Sequence, residues 1–253
     1  MLRINLLLAS LLASLSTGVW AADVGGVAGA GLSYQPSDPA GTHYDTKPIP
    51  YFDLTYGNVE LDSDEGLTWA ALKTGNGWSA GPLANLVEGR DGNHRLRGLR
   101  DVPDMLELGG FVQYSPVDFW RVYAQGGRAE GGGHGQGGML GRLGTELDYP
   151  MGGGVFGSTE LVAHYADGRM NQTFFGVDAN QAQASGIAAY RASGGLQDWT
   201  LSQGAMFPLA AHWTLLANVE WVHLTGSAAE SSIVTQRGHA NQGEVQTAVA
   251  YKF

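Results

Sequence analysis

The chain has 253 residues, 43% of them apolar and only 15% charged, a composition that excludes disorder and fits one or two domains. Thirty-nine glycines without a G-X-Y period exclude collagen and weaken any helical bundle, which leaves an all-β protein. With 14 basic against 24 acidic side chains, a formal charge of −10, and no cysteine, nucleic acid is not a partner and disulfides, zinc ribbons and catalytic thiols are excluded.

At the N-terminus Arg3 precedes a mostly apolar stretch from Ile4 to Leu15, and Val19-Trp20-Ala21 places small residues at the −3 and −1 positions of a signal peptidase site. The pattern predicts a signal peptide over residues 1–21, cleaved after Ala21. Read as an anchor, the apolar run falls well short of the roughly 20 residues that span a bilayer. The mature chain, residues 22–253, has no cysteine to carry a lipid and is expected to be exported as a single domain.

Strands are predicted at 24–35, 48–57, 58–63, 66–73 and 76–88, the third and fourth being short. They are required if the strand count is even and both ends are periplasmic, which gives twelve; ten is the alternative if 59–73 forms one bent piece and one further predicted strand is not formed. Asp62-Ser63-Asp64-Glu65, between the short strands, reads as a solvated acidic turn in preference to a weak calcium loop. A basic cluster follows in Arg90, Arg95, Arg97 and Arg100, offset by Asp91, Asp101 and Asp104. Two readings stand for it: on an external loop the arginines grip lipopolysaccharide phosphates bidentately, or they fold the loop over the barrel mouth through internal salt bridges.

From there the two-residue period is plain, with strands predicted at 104–115, 118–128, 136–149, 152–166, 195–208, 211–225 and 242–253. In the last of them Val245, Thr247, Val249, Tyr251 and Phe253 share one face, and Glu244, Gln246, Ala248, Ala250 and Lys252 the other. Tight turns at Ser115-Pro116-Val117-Asp118, Tyr149-Pro150-Met151-Gly152 and Pro208-Leu209-Ala210-Ala211 alternate with long connections at 127–136, 167–186 and 226–242. Short periplasmic turns and long external loops are the pattern of a transmembrane antiparallel β-barrel, which is the fold predicted. The run Gly131-Gly132-Gly133-His134-Gly135-Gln136-Gly137-Gly138 lacks the Lys-Ser/Thr and helix of a phosphate-binding loop and reads as a mobile external loop.

A soluble sandwich would also alternate, so the aromatics decide. Trp213 and Trp221 are eight residues apart on one face, about 26 Å along a strand and roughly 20 Å of height at a 40° tilt, which suits the two aromatic girdles of a membrane barrel. Tyr251 and Phe253 at the chain end look like the terminal signal that the outer-membrane barrel assembly machinery reads. The inward-facing candidates are Glu107, Arg121, Arg142, Glu146, Asp148, Glu160, His164 and Glu220. Ser158, Glu160 and His164 share a face, but residues two and four apart on a strand are roughly 7 and 13 Å from each other, too far for a nucleophile and its base. A solvated network of charge pairs is expected, with no catalytic residue, cofactor or metal.

The sequence resembles the MltA-interacting protein and outer membrane protein V (MipA/OmpV) family. The resemblance is carried by Gly29-Ala30-Gly31-Leu32-Ser33-Tyr34 with Tyr44, Pro48-Ile49-Pro50-Tyr51, Gly89-Arg90-Asp91 and Leu96-Arg97-Gly98-Leu99. Further along it rests on Phe175-Gly176-Val177 through Ala184-Ser185-Gly186, Tyr190, Gly194-Gly195-Leu196, Trp213, Leu215, the stretch from Leu224 to Val234, and Tyr251-Lys252-Phe253. It departs from the family at Ser232, where members usually have proline, and near Tyr34, where the Pro-x-Tyr spacing is loose. The resemblance implies an outer-membrane barrel facing lipid and lipopolysaccharide. For some members it implies a scaffold linking a lytic transglycosylase to a penicillin-binding protein in murein metabolism, and for others a porin or adhesin.

Deleting Phe253 is expected to impair insertion far more than truncating any other exposed aromatic, because its role at the chain end adds recognition to apolar area. The membrane-inserted fraction after expression measures this, and wild-type yield for the truncated chain contradicts it.

Overall fold

The computed structural model describes residues 24–131 and 135–253, so the expected signal peptide over 1–21 and Gly132-Gly133-His134 lie outside the described residues. Among the described residues twelve antiparallel strands close into a barrel. They are β1 (Val24–Pro36), β2 (Tyr44–Tyr56), β3 (Val59–Asp62), β4 (Gly66–Trp69, continued by Leu72–Lys73), β5 (Trp78–Val87), β6 (Met105–Val117), β7 (Trp120–Gly131), β8 (Gly137–Gly152), β9 (Val155–Ala166), β10 (Gly195–Pro208), β11 (Trp213–Leu224) and β12 (Asn241–Lys252). The first and last strands pair from Val27–Lys252 to Tyr34–Val245, so neither is an edge. The expected strand count and fold are the ones found.

The faces follow the alternation. Leu32, Leu108, Val112, Leu143, Leu147, Leu161, Val219, Val245 and Val249 are exposed on the outside, where hydrocarbon is their solvent. On the inside, small residues let strands approach: Gly31 of β1 lies so close to Thr247 and Ala248 of β12 that a Cβ there would stand 1.9 Å from the Thr247 carbonyl oxygen.

Two turns differ from expectation. Instead of turning at Tyr149–Gly152, β8 runs on through Gly152, and the turn is made by Gly153 and Gly154, whose φ angles of 62° and 82° suit a tight hairpin. Pro150 is accommodated because the register shifts between Val155 and Phe156, leaving a bulge beside it. Likewise β6 extends to Val117, with a register shift beside Pro116, and the chain turns at Asp118 and Phe119.

The β3–β4 hairpin is only half as tall as its neighbours. It pairs with β2 no higher than Asp53–Asp62, and with β5 at Leu67–Ala84 and Thr68–Leu83, then past a one-residue bulge at Leu72–Ala80. Above it the upper part of β2 is paired on one side only. Pro48 and Pro50 lie there, and their parity with Phe52, whose N–H and carbonyl bond Ser63, puts their missing N–H groups on that open edge. The gap is bridged by Lys47 Nζ to Glu88 Oε1 at 2.8 Å, while on β5 the Asn85 side chain accepts from the Leu86 N–H.

On the side of the long connections, segments expected as plain loops hold helices: α1 (Gly168–Phe175), α2 (Ala179–Ser185), α3 (Gly226–Ala229) and α4 (Ser232–Arg237). With the 88–104 loop they enclose a hydrophobic core that includes Leu96, Val102, Met105, Phe174, Phe175, Ile187, Ile233 and Val234. This core sits over the barrel mouth. Ser231 Oγ donates to the Phe175 carbonyl at 2.6 Å and Tyr190 Oη to that of Ser227 at 2.9 Å. Ser232, where the chain departs from the family, donates to the Ala188 carbonyl at 2.6 Å.

Gly31→Val is expected to destabilise the barrel by about 1–3 kcal/mol, the usual cost of overpacking, by forcing β1 away from β12. Urea titration followed by heat-modifiable gel mobility measures it, and an unchanged midpoint contradicts the close approach.

Candidate functional site

The inward side chains of the barrel converge on Arg121. Its Nε donates to Glu146 Oε2 at 2.5 Å, its Nη2 pairs with Glu65, and Glu160 Oε1 lies 3.8 Å from the same nitrogen. Glu146 and Glu160 are directly opposite each other on β8 and β9, a like-charge pair that is unfavourable unless a cation stands between them. The guanidinium also sits 5.0 Å from the Tyr123 ring centroid, a favourable cation–π distance.

Tyr123 completes the second layer. Its hydroxyl donates to Glu160 Oε1 at 2.6 Å, and it can cross the lumen because Gly144, its neighbour on β8, has no Cβ; one built there would meet the ring at 2.3 Å. Gln125 donates to Glu65 Oε2 at 2.6 Å, and Arg142 Nη1 donates to Gln125 Oε1 at 3.3 Å. Arg142 Nη2 in turn donates to the fully buried Glu107 at 2.7 Å. The network therefore runs from the β3–β4 turn to the opposite wall. A chamber of about 900 Å³ lies against it, with a second of about 660 Å³ towards the short turns; Glu65 and Arg121 line both.

Of the remaining inward candidates, Asp148, Glu160, His164 and Glu220 line the larger chamber. Ser202 Oγ donates to Glu220 at 3.3 Å, and His164 Nδ1 is 2.7 Å from Asp198 Oδ1. Ser158 makes no bond to His164 among the described residues; the hydroxyl that meets the pair is that of Thr200, which donates to Asp198 Oδ1 at 3.1 Å. The Asp62–Glu65 turn faces the inside of the barrel, with Asp64 exposed. It lines the chamber, with Asp62 Oδ1 accepting from the N–H groups of Asp64 and Glu65. Among the described residues no group of three His, Asp or Glu side chains converges at metal-binding distance.

On the outer wall Trp213 and Trp221 are both about half exposed. Trp213 meets Tyr251 edge-on at 5.4 Å and Tyr251 meets Phe253 at 5.5 Å, forming one aromatic group beside the short turns. In the basic cluster, Arg90 is buried and pairs through its backbone with Val102. Burial pulls its pKa down, while the charges of Asp38 and Asp101 push it back up. Arg95 Nη1 reaches the Thr42 carbonyl at 3.5 Å, Arg97 is exposed, and Arg100 pairs with Asp178 at 3.3 Å. None of the four is at salt-bridge distance from Asp91, Asp101 or Asp104 among the described residues, and the internal bridge that forms is Arg100–Asp178.

Periodicity could place each charge on the inner face but could not show that Glu65, 56 residues before Arg121, is its partner. Arg121→Gln leaves Glu65, Glu146 and Glu160 without their cation and is expected to cost about 2–4 kcal/mol of stability. The urea midpoint of the refolded barrel checks this, and a wild-type midpoint contradicts it.

Comparison with known proteins places this architecture. Among solved structures the chain is similar to the NanC porin, at 8% identity and a TM-score of 0.51, covering 90% of this chain and 100% of that one. That likeness shows the barrel fold alone. OprG from Pseudomonas aeruginosa, at 15% identity and a TM-score of 0.30 over 92% of this chain and 96% of that one, is too distant to add to it. No curated protein sequence matches. The model of the MltA-interacting protein MipA family matches residues 28–253, and the chain belongs to that family.

Proposed function

We propose that this outer-membrane barrel is an interaction scaffold that holds a murein hydrolase of the lytic transglycosylase type, together with a penicillin-binding synthase, at the inner surface of the outer membrane. The observation that carries this reading is the family match over residues 28–253, whose name records interaction with one such hydrolase. The lumen supports it indirectly. An Arg121 network across the barrel and an apolar core over the mouth suit a closed barrel better than a solute pore.

A scaffold must bind at the face turned to the cell wall, which is the rim of short turns. Phe119 and Leu209 lie at two of those turns and are 56% and 57% exposed. Side chains of this size exposed at a rim are natural anchors for a protein partner. The purified barrel is expected to retain a transglycosylase from periplasmic extract. Phe119→Ser with Leu209→Ser should reduce that retention at least tenfold while leaving heat-modifiable mobility unchanged. Retention of no murein enzyme by the folded wild type contradicts the proposal.

A further inference from the structure

A second candidate site lies at the opposite end, among the long loops. There two carboxylates of the 88–104 loop are taken up by backbone: Asp101 Oδ1 accepts from the Gly92 N–H at 2.7 Å and Asp104 Oδ1 from that of Gly89 at 2.8 Å. Of the four arginines on that loop only Arg100 has an acidic partner at salt-bridge distance among the described residues, Asp178. Arg90 and Arg100 border a depression of about 1040 Å³ whose other walls carry Arg169 of α1 and Arg191, with Asp178 the only carboxylate among its lining residues. Four guanidiniums from three chain segments thus gather around one hollow in a protein of net charge −10.

Their existing bonds are weak. Arg169 reaches the carbonyls of Gly135 and Gln136 only at 3.4 Å, near the limit of a hydrogen bond. Arg191 makes no hydrogen bond or ion pair among the described residues. Arg90, at 2% exposure, donates only through Nη2, to the Arg100 carbonyl at 3.3 Å, and its Nε and Nη1 have no partner. A buried guanidinium with two unsatisfied nitrogens is costly even with Asp38 and Asp101 in range, and this one lies beneath a hollow ringed by three exposed ones. Planar forks of N–H donors match the oxygens of a phosphate.

We propose that this hollow binds a phosphomonoester group, with Arg169 and Arg191 reaching it from the rim, Arg100 shared between it and Asp178, and Arg90 supplying positive charge from beneath. The site stands apart from the scaffold reading, since it lies at the other end of the barrel. The same chemistry could come from a phosphorylated outer-leaflet glycolipid headgroup or from a soluble phosphate compound.

The full-length protein in phosphatidylcholine nanodiscs is titrated with inorganic phosphate by calorimetry at low salt. Binding is expected, weakened at least tenfold by Arg169→Gln with Arg191→Gln and unchanged by Arg128→Gln, whose partner is Glu130 outside the hollow. Repeating the titration in nanodiscs doped with bisphosphorylated or dephosphorylated lipid A separates the sources. Loss of phosphate binding with the phosphorylated lipid alone assigns the headgroup, and equal binding in both assigns a soluble ligand. Absence of phosphate binding by the folded wild type, or equal affinity in the double variant, overturns the proposal.

Discussion

A sheet surrounded by hydrocarbon cannot leave main-chain N–H and carbonyl groups unpaired, and the rest of this molecule depends on how it meets that constraint. The first and last strands pair with each other. The remaining junction, between β2 and β5, is filled by a hairpin of half height. Because that hairpin stops short, its turn points Glu65 at Arg121, and the open edge above it is protected by two prolines that have no N–H to lose. The closure of the wall and the crossing of the lumen are thus consequences of one short hairpin.

Burial is distributed in the reverse of a soluble domain. Within the barrel the interior is held by Arg121, Arg142 and the carboxylates they neutralise, beside a small apolar cluster of Val27, Leu216, Ala248 and Ala250. Removing one member leaves its partners' charges alone in a half-buried lumen, which costs more than the pair contributes. The apolar core lies above the barrel, where Phe174, Phe175, Ile187 and Ile233 pack among loops that face water. The Arg121 network crosses the lumen beside two chambers and the apolar core covers the mouth, and the surfaces that face outward are the short-turn rim and the hollow among the long loops.

Much of this could be read from the chain. Alternation in 242–253 and the spacing of Trp213 and Trp221 suffice for the wall, and parity of strand count requires the short hairpin at 59–73. The loop helices were missed because each is eight residues or fewer, too short for periodicity to register. Capping offered a signal that could have found one: Asp178 and Gln181 form a capping box, and Gly186 ends α2 with a left-handed φ of 70°. The turn was placed too early at Tyr149–Gly152 because Pro150 reads as a breaker, whereas a bulge lets the strand continue past it. The basic cluster was legible as a cluster, but Arg169 and Arg191 join it only through folding, which no local spacing records.

The central claim is that this barrel is closed along its axis and acts at its rims. Single-channel recording in planar bilayers, with the wild-type protein inserted at verified orientation and yield, tests it most directly. The structure predicts a bilayer that stays at baseline conductance with protein present. Stable, discrete conductance steps from the wild type would contradict the claim and return the molecule to the class of solute pores.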